Sequence, residues 1–189
     1  MKNLYEHFMN GINVQREPNK EGKRGPFWKR FEYISDRSDH MAEHSFYLKA
    51  NWPGLRNDVG HIESGNLKTE VSIPPEMDGP GVGTNPDEML LGAAATCYII
   101  TLAAMMERSK LEKEELTMES EGIVDVTGGV ITYKTIIHRP KIVLKANASD
   151  RDISLAQRLA EKAEKSCMIS RAIKGNVEVR LEASIQTIT

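Results

Sequence analysis

Residues Asn85 to Arg108 read NPDEMLLGAAATCYIITLAAMMER, and no charged side chain lies between Met89 and Met106, in a chain where 28% of residues are charged. Asn85 is placed to cap a helix, Pro86 to open it, and Glu88, three residues after the cap, to complete a capping box. Asp87 and Glu88 also suit the positive end of the helix dipole. The apolar run approaches the length of a membrane span. Gly92, Ala93, Ala94, Ala95, Thr96 and Thr101 make it a weak one, and it is the only segment of its kind in the sequence. A helix apolar on every side is better read as buried on every side. One antiparallel sheet and one further helix do not cover all its faces, so the expectation is a homodimer in which two copies of this helix pack together inside two sheets.

Working outward, HSFYLKANW and NLKTEVSI alternate as half-buried strands do, and GPGVGTNP is a turn segment ahead of the helix. Beyond it, ELTMESEGIVDVTGG and VITYKTIIHRPKIVLKA predict two or three strands around a Gly128-Gly129 turn. A second helix is expected from about Asp150. In NVEVRLEASIQTI, Val177, Val179, Leu181, Ala183 and Ile185 alternate with polar residues as one strand. This order predicts an α+β domain with antiparallel sheet, not a doubly wound one. Residues 1–43 are polar, with a basic cluster in KEGKRGPFWKR, and read as an N-terminal extension carrying a solvated arm; residues 44–189 read as one domain. A net charge of -2 supplies no basic field for nucleic acid. MKNLYEHFMNGINVQREPN lacks the apolar core of a secretory signal, so the cytoplasm is the expected location.

Cys97 and Cys167 are the two cysteines, too few for a disulfide framework and without zinc-ligand spacing. They are inert core thiols or a reversible catalytic pair. In the second helix Ile153, Ala156, Leu159, Ala160, Ala163 and Cys167 recur at spacings of three and four, so both thiols face the same interior. HMAEH, from His40 to His44, fits an H-x-x-E-H zinc-hydrolase pattern, but it lies in a polar stretch that passes straight into a strand. GPGVGTNP lacks the spacing of a nucleotide fingerprint, and the following acids would repel a phosphate. Taken alone, Arg56 in GLRND is an ordinary turn arginine and Asp87 an ordinary helix-start acid.

GTNPDEMLLGAAATCYIITL resembles the signature of the organic hydroperoxide resistance and osmotically inducible protein C (Ohr/OsmC) family, and KSCMISRAI resembles its second cysteine motif. NWPGLRNDVGHIESGNLKTEVSIPPEMDGPGVG is similar to the Ohr-type strand, arginine turn and Gly-Pro-Gly loop, and the likeness spans residues 44–188. The resemblance implies an OsmC-like fold, with antiparallel sheets wrapped around central buried helices in an intertwined homodimer. It also implies a thiol peroxidase that reduces organic hydroperoxides, with Cys97 peroxidatic, Cys167 resolving, Arg56 activating, and a dithiol, dihydrolipoamide in the Ohr type, as reductant. Asp87 stands where the family has a glutamate, one methylene shorter, and Met168 where it usually has a proline. No cofactor, metal, nucleic acid or membrane partner is implied. The alternative within the fold is a non-catalytic protein that binds an apolar ligand.

The chemistry has its own physical requirement. The thiolate attacks, and burial alone raises a thiol pKa, so a buried Cys97 needs a fixed cation or donors to react. Arg56 with a carboxylate partner meets that need. On a continuous helix Asp87 and Cys97 are about 15 Å apart along the axis. Either the helix bends near Gly92 or both subunits contribute to the site, and the second is expected. The apolar surroundings of Cys97 favour bulky organic hydroperoxides over hydrogen peroxide.

Overall fold

A computed structural model describes residues 43–188. The basic cluster, His40 and most of the expected N-terminal extension lie outside the described residues. Strands β1 (Lys49–Asn51), β2 (Gly60–Ser64) and β3 (Leu67–Val71) form an antiparallel sheet in that order. Of the expected strand HSFYLKANW only Lys49–Asn51 pairs, while Phe46 and Tyr47 are exposed. Sequence reading misses β2 because GHIES buries only Gly60 and Ile62, too few for an alternation to show. Gly60 lies under the Trp52 ring, where an added Cβ would come within 2.6 Å of it.

Helix α1 (Pro86–Arg108) begins as expected, with the Asn85 side chain accepting the Glu88 N–H at 2.9 Å and Pro86 at the first position. Glu88 does not close the box. Its carboxylate accepts the Thr84 hydroxyl at 2.8 Å instead. The helix runs uninterrupted through Gly92. Strands β4 (Lys113–Thr127) and β5 (Val130–Leu144) form one long antiparallel hairpin. Gly128 (φ 61) and Gly129 (φ 79) both occupy the left-handed region that a primed two-residue turn demands. Helix α2 (Asp150–Ser166) carries a complete capping box between Ser149 and Asp152. A short helix α3 (Met168–Ile173) follows after Cys167.

The carboxy-terminal segment corrects two expectations. It is split into β6 (Glu178–Leu181) and β7 (Ser184–Thr187), and both pair with β5 in parallel, so this sheet is mixed and not antiparallel throughout. Pro140 accounts for the split. The His138 carbonyl accepts the Glu182 N–H at 2.9 Å, so residue 140, two further along the strand, turns the same way. A proline there has no N–H for the Glu182 carbonyl, and the ladder resumes only at the Lys141–Ser184 pair, in unchanged register.

The core lies between α1, α2 and β5. Tyr98, Leu102 and Met106 descend one face of α1 onto Ala156, Leu159, Ala160 and Ala163 of α2 and onto Ile142 and Leu144 of β5. Each large side chain so buried contributes about 1.5–3 kcal/mol, and the small face of α2 lets the two helices approach closely. The Tyr98 ring stacks on His138 of β5 at 5.1 Å and 19°, and the tyrosine hydroxyl donates to the Ala160 carbonyl at 3.3 Å.

Sequence reading expected α1 to be buried on every side, and within one chain it is not. Only Ala94, Tyr98, Leu102 and Met106 are fully buried, and Ile100 on the other side is 67% exposed. By length and composition α1 could cross a membrane; here one of its faces serves as the wall of a folded core.

His138 is fully buried with Nδ1 at 2.8 Å from the Ser120 hydroxyl and Nε2 without a partner, and burial holds its pKa below the usual 6.5. The unfolded chain therefore takes up a proton before the folded one. The stability that the neutral ring confers is complete above 6.5 and is lost as pH falls from there through the folded-state pKa. Melting temperatures at pH 7.5 and pH 5 should show a drop for the native chain that is smaller in His138→Phe.

Candidate active site

Cys97 lies one residue before Tyr98 on α1, so it sits at the edge of the buried stripe and is half-buried. Cys167 is fully buried at the junction of α2 and α3. Sequence spacing put Cys167 on a continuing helix; the chain instead breaks at this residue. Its N–H still bonds the Ala163 carbonyl at 2.9 Å, but its own ψ is 126°, which swings the next turn aside. Its carbonyl then accepts the Arg171 N–H at 3.1 Å and starts α3.

The break matters because the first N–H groups of a helix have no partner within it. Two of these orphan donors, from Met168 and Ile169, point at the Cys97 sulfur. Cys167 also hydrogen-bonds to it. The Thr101 hydroxyl donates to the Cys97 carbonyl at 2.7 Å and lies within reach of the sulfur as well. Burial pushes the Cys97 thiol up. Hydrogen bonds from Cys167 and from the Ile169 and Met168 N–H groups, with the Thr101 hydroxyl dipole nearby, outweigh it and bring the thiol below its ordinary value. Cys167 moves the other way. Burial and its bond to Cys97 raise it, against the N–H and hydroxyl of Ser170. The two thiols are thus displaced in opposite directions, Cys97 towards the thiolate and Cys167 away from it.

The structure thus brings two of the four expected site residues together. Arg56 is exposed on the turn between β1 and β2, which is stapled by the Leu55 N–H to the Asp58 carboxylate at 2.6 Å and by the Trp52 indole to the Leu55 carbonyl at 2.9 Å. Its guanidinium donates to the Met77 carbonyl at 2.7 Å and to Asn57 Oδ1 at 3.0 Å. Asp87 is half-buried in the first turn of α1, where its charge, after burial, helps to raise the Tyr133 hydroxyl of β5. Among the described residues no hydrogen bond or ion pair joins Arg56 or Asp87 to either sulfur.

Apart from Cys167 itself, the groups that reach the two sulfurs were not singled out from sequence. Thr101 follows Cys97 by four, one helical turn, and Ser170 follows Cys167 by three, so side-chain spacing held a signal for both. The two backbone donors had none, because they exist only where the helix breaks. Met168, a departure from the usual proline, gains meaning here: a proline at this position would have no N–H to give. Among the described residues no group of three histidine, cysteine, aspartate or glutamate side chains is placed to hold a metal.

Comparison with known proteins places these features in a family. Residues 79–182, more than half of the chain, match the family described as OsmC-like protein. The chain is 77% identical to the protein YmaD of Bacillus subtilis over 146 residues, covering 77% of this chain and 97% of that one. It is 30% identical to the organic hydroperoxide resistance protein OhrB of the same organism, covering 66% of this chain and 88% of that one. A crystal structure of an organic hydroperoxide resistance protein from Legionella pneumophila superposes with a TM-score of 0.62 at 29% identity, covering 76% and 98% of the two chains.

Met168→Pro isolates one donor. Position 168 opens α3, where proline is tolerated, and the φ of -60° and ψ of 126° at Cys167 suit a residue before proline. A hydrogen bond to a charged group is worth about 1.5–3 kcal/mol, so the Cys97 pKa should rise by about one unit or more. Thiolate absorbance or the pH dependence of alkylation in a Cys167→Ser background reads this directly.

Proposed function

The chain belongs to the Ohr/OsmC family, and from that premise we propose that it is a thiol peroxidase that reduces organic hydroperoxides with Cys97 and Cys167. The observation that carries the reading is that Cys97 of α1 and Cys167 at the start of α3 come together in one buried cluster of helices. The Cys97 thiolate attacks the terminal peroxide oxygen, the O–O bond breaks, and the alkoxide leaves and takes a proton to become the alcohol. Cys97 is then a sulfenic acid. The Cys167 sulfur attacks it, water leaves and a Cys97–Cys167 disulfide forms, which stops further oxidation. A dithiol such as dihydrolipoamide restores both thiols and is itself oxidised to a disulfide.

In this reading the working unit is an intertwined homodimer in the cytoplasm. The apolar surface left open by one chain supports it: Ile100 on α1 and Phe46, Tyr47 and Leu48 at the start of the first sheet are all more than half exposed. Arg56 and Asp87 complete the site across that interface, the arginine holding the thiolate and the peroxide oxygen and the carboxylate fixing its fork. The apolar setting selects hydroperoxides with bulky organic groups over hydrogen peroxide.

Turnover of an organic hydroperoxide with dihydrolipoamide tests the whole scheme. Cys97→Ser should have no turnover, Cys167→Ser should stop after one equivalent of alcohol, and Arg56→Ala should lose about two orders of magnitude in rate, as removal of one fixed donor does elsewhere. Full turnover in Cys97→Ser would defeat the proposal. An inactive native protein that binds an apolar ligand would indicate the non-catalytic alternative. Sedimentation at micromolar concentration should give a dimer, and a compact monomer would overturn the shared site.

A further inference from the structure

Ser170 follows Cys167 by three residues, one turn along α3, and is 5% exposed. Its hydroxyl oxygen is sealed from solvent and has no nitrogen or oxygen partner. Among the described residues it shares that state with one other side-chain atom, Nε2 of His138, whose neutral ring serves the stack with Tyr98. A serine within a helix commonly returns its hydroxyl to a carbonyl three or four residues back. Ser170 does not, and a buried hydroxyl left in that condition calls for an explanation. What it faces is the Cys167 sulfur, which the Ser170 N–H faces as well.

That sulfur is fully buried. Burial and its bond to Cys97 hold it away from the thiolate, the form that attacks, and the N–H and hydroxyl of Ser170 act in the opposite sense. A thiol sulfur is a weak acceptor, whereas an ionised acceptor takes a much stronger hydrogen bond. The hydroxyl therefore gains most at the moment Cys167 loses its proton. An interaction that strengthens as charge develops accelerates a step, while one equally strong beforehand does not.

We propose that the Ser170 hydroxyl is a catalytic group of the resolving step, donating a hydrogen bond to the Cys167 sulfur as that sulfur attacks the oxidised Cys97. The inference rests on the peroxidase reading and assigns a residue to its second half. The Cys167 proton passes to the hydroxyl of the Cys97 sulfenic acid, the sulfur–oxygen bond breaks, water leaves and the Cys97–Cys167 bond forms. Negative charge that builds on Cys167 during this transfer is met by a donor already in place. It disappears once the disulfide is made. The buried position of Cys167 is no obstacle, because the sulfur it attacks is its own hydrogen-bonding neighbour.

The test follows the full chain after one equivalent of cumene hydroperoxide, with samples quenched in a sulfenic acid trap and read by mass spectrometry. Ser170→Ala keeps the N–H and suits a helix. In this variant the sulfenic acid should form at the native rate and close to the disulfide about tenfold more slowly, as expected for one hydrogen bond to a charged group. The rise of the closure rate with pH should move upward by about one unit. A packing role alone would slow closure without moving that profile, so slow closure with an unmoved profile overturns the proposal, as does closure at the native rate. A second measurement needs no peroxide: labelled Cys167 is titrated by NMR in a Cys97→Ser background. Adding Ser170→Ala should raise its pKa by about one unit, and an unchanged value sinks the proposal. The two possible failures differ in what is seen. Absence of sulfenic acid in the native chain defeats the peroxidase reading and the resolving role with it, whereas sulfenic acid that forms and closes normally in Ser170→Ala defeats the role of Ser170 alone.

Discussion

Burial of the Cys97 sulfur is the constraint around which the rest of the structure is arranged. An apolar environment disfavours the thiolate, and a cysteine in the middle of an uncharged helix would ordinarily be inert. The chain meets this by ending one helix and starting another against the sulfur, so that unpaired N–H groups of Met168 and Ile169 face it beside Thr101 and Cys167. These donors come from the same chain and bear no formal charge. They lower the thiol pKa before any cation arrives.

That arrangement needs α1, α2 and α3 to be fixed relative to one another within a fraction of a hydrogen-bond length. The stripe Tyr98, Leu102 and Met106 against Ala156, Ala160 and Ala163 provides it, because small residues on one helix admit large ones on the other. The stack of Tyr98 on His138 ties the residue beside Cys97 to β5. The neutral, poorly partnered imidazole is the cost of that tie, and it makes the same contact sensitive to acid. On the other side of β5, Pro140 interrupts the ladder without shifting its register, so β6 and β7 continue one line and carry the chain from α3 back along the sheet.

Much of the fold was legible because its signals are local. Asn85 and Pro86 announced the first long helix, the glycine pair announced the hairpin, and the three-and-four spacing from Ile153 announced α2 and picked out its buried face. The errors fall where a nonlocal partner decides. Alternation from Val177 to Ile185 reports a strand but not the direction of its neighbour, so an antiparallel pairing was expected where a parallel one forms. Strand β2 escaped notice because its place in the middle of a sheet depends on β1 and β3, not on its own pattern.

The same division applies to the site. The sequence by itself determined that Cys167 lies on a buried face, by its spacing, and that Cys97 lies in a helix with more apolar surface than a single chain can cover. Only the tertiary structure decided which groups surround the Cys97 sulfur. Backbone N–H groups are present at every non-proline residue and carry no signature in a sequence; they become functional when a helix end is brought against a particular atom. The break at Cys167 does this, and it is produced by a backbone angle that no spacing of side chains records.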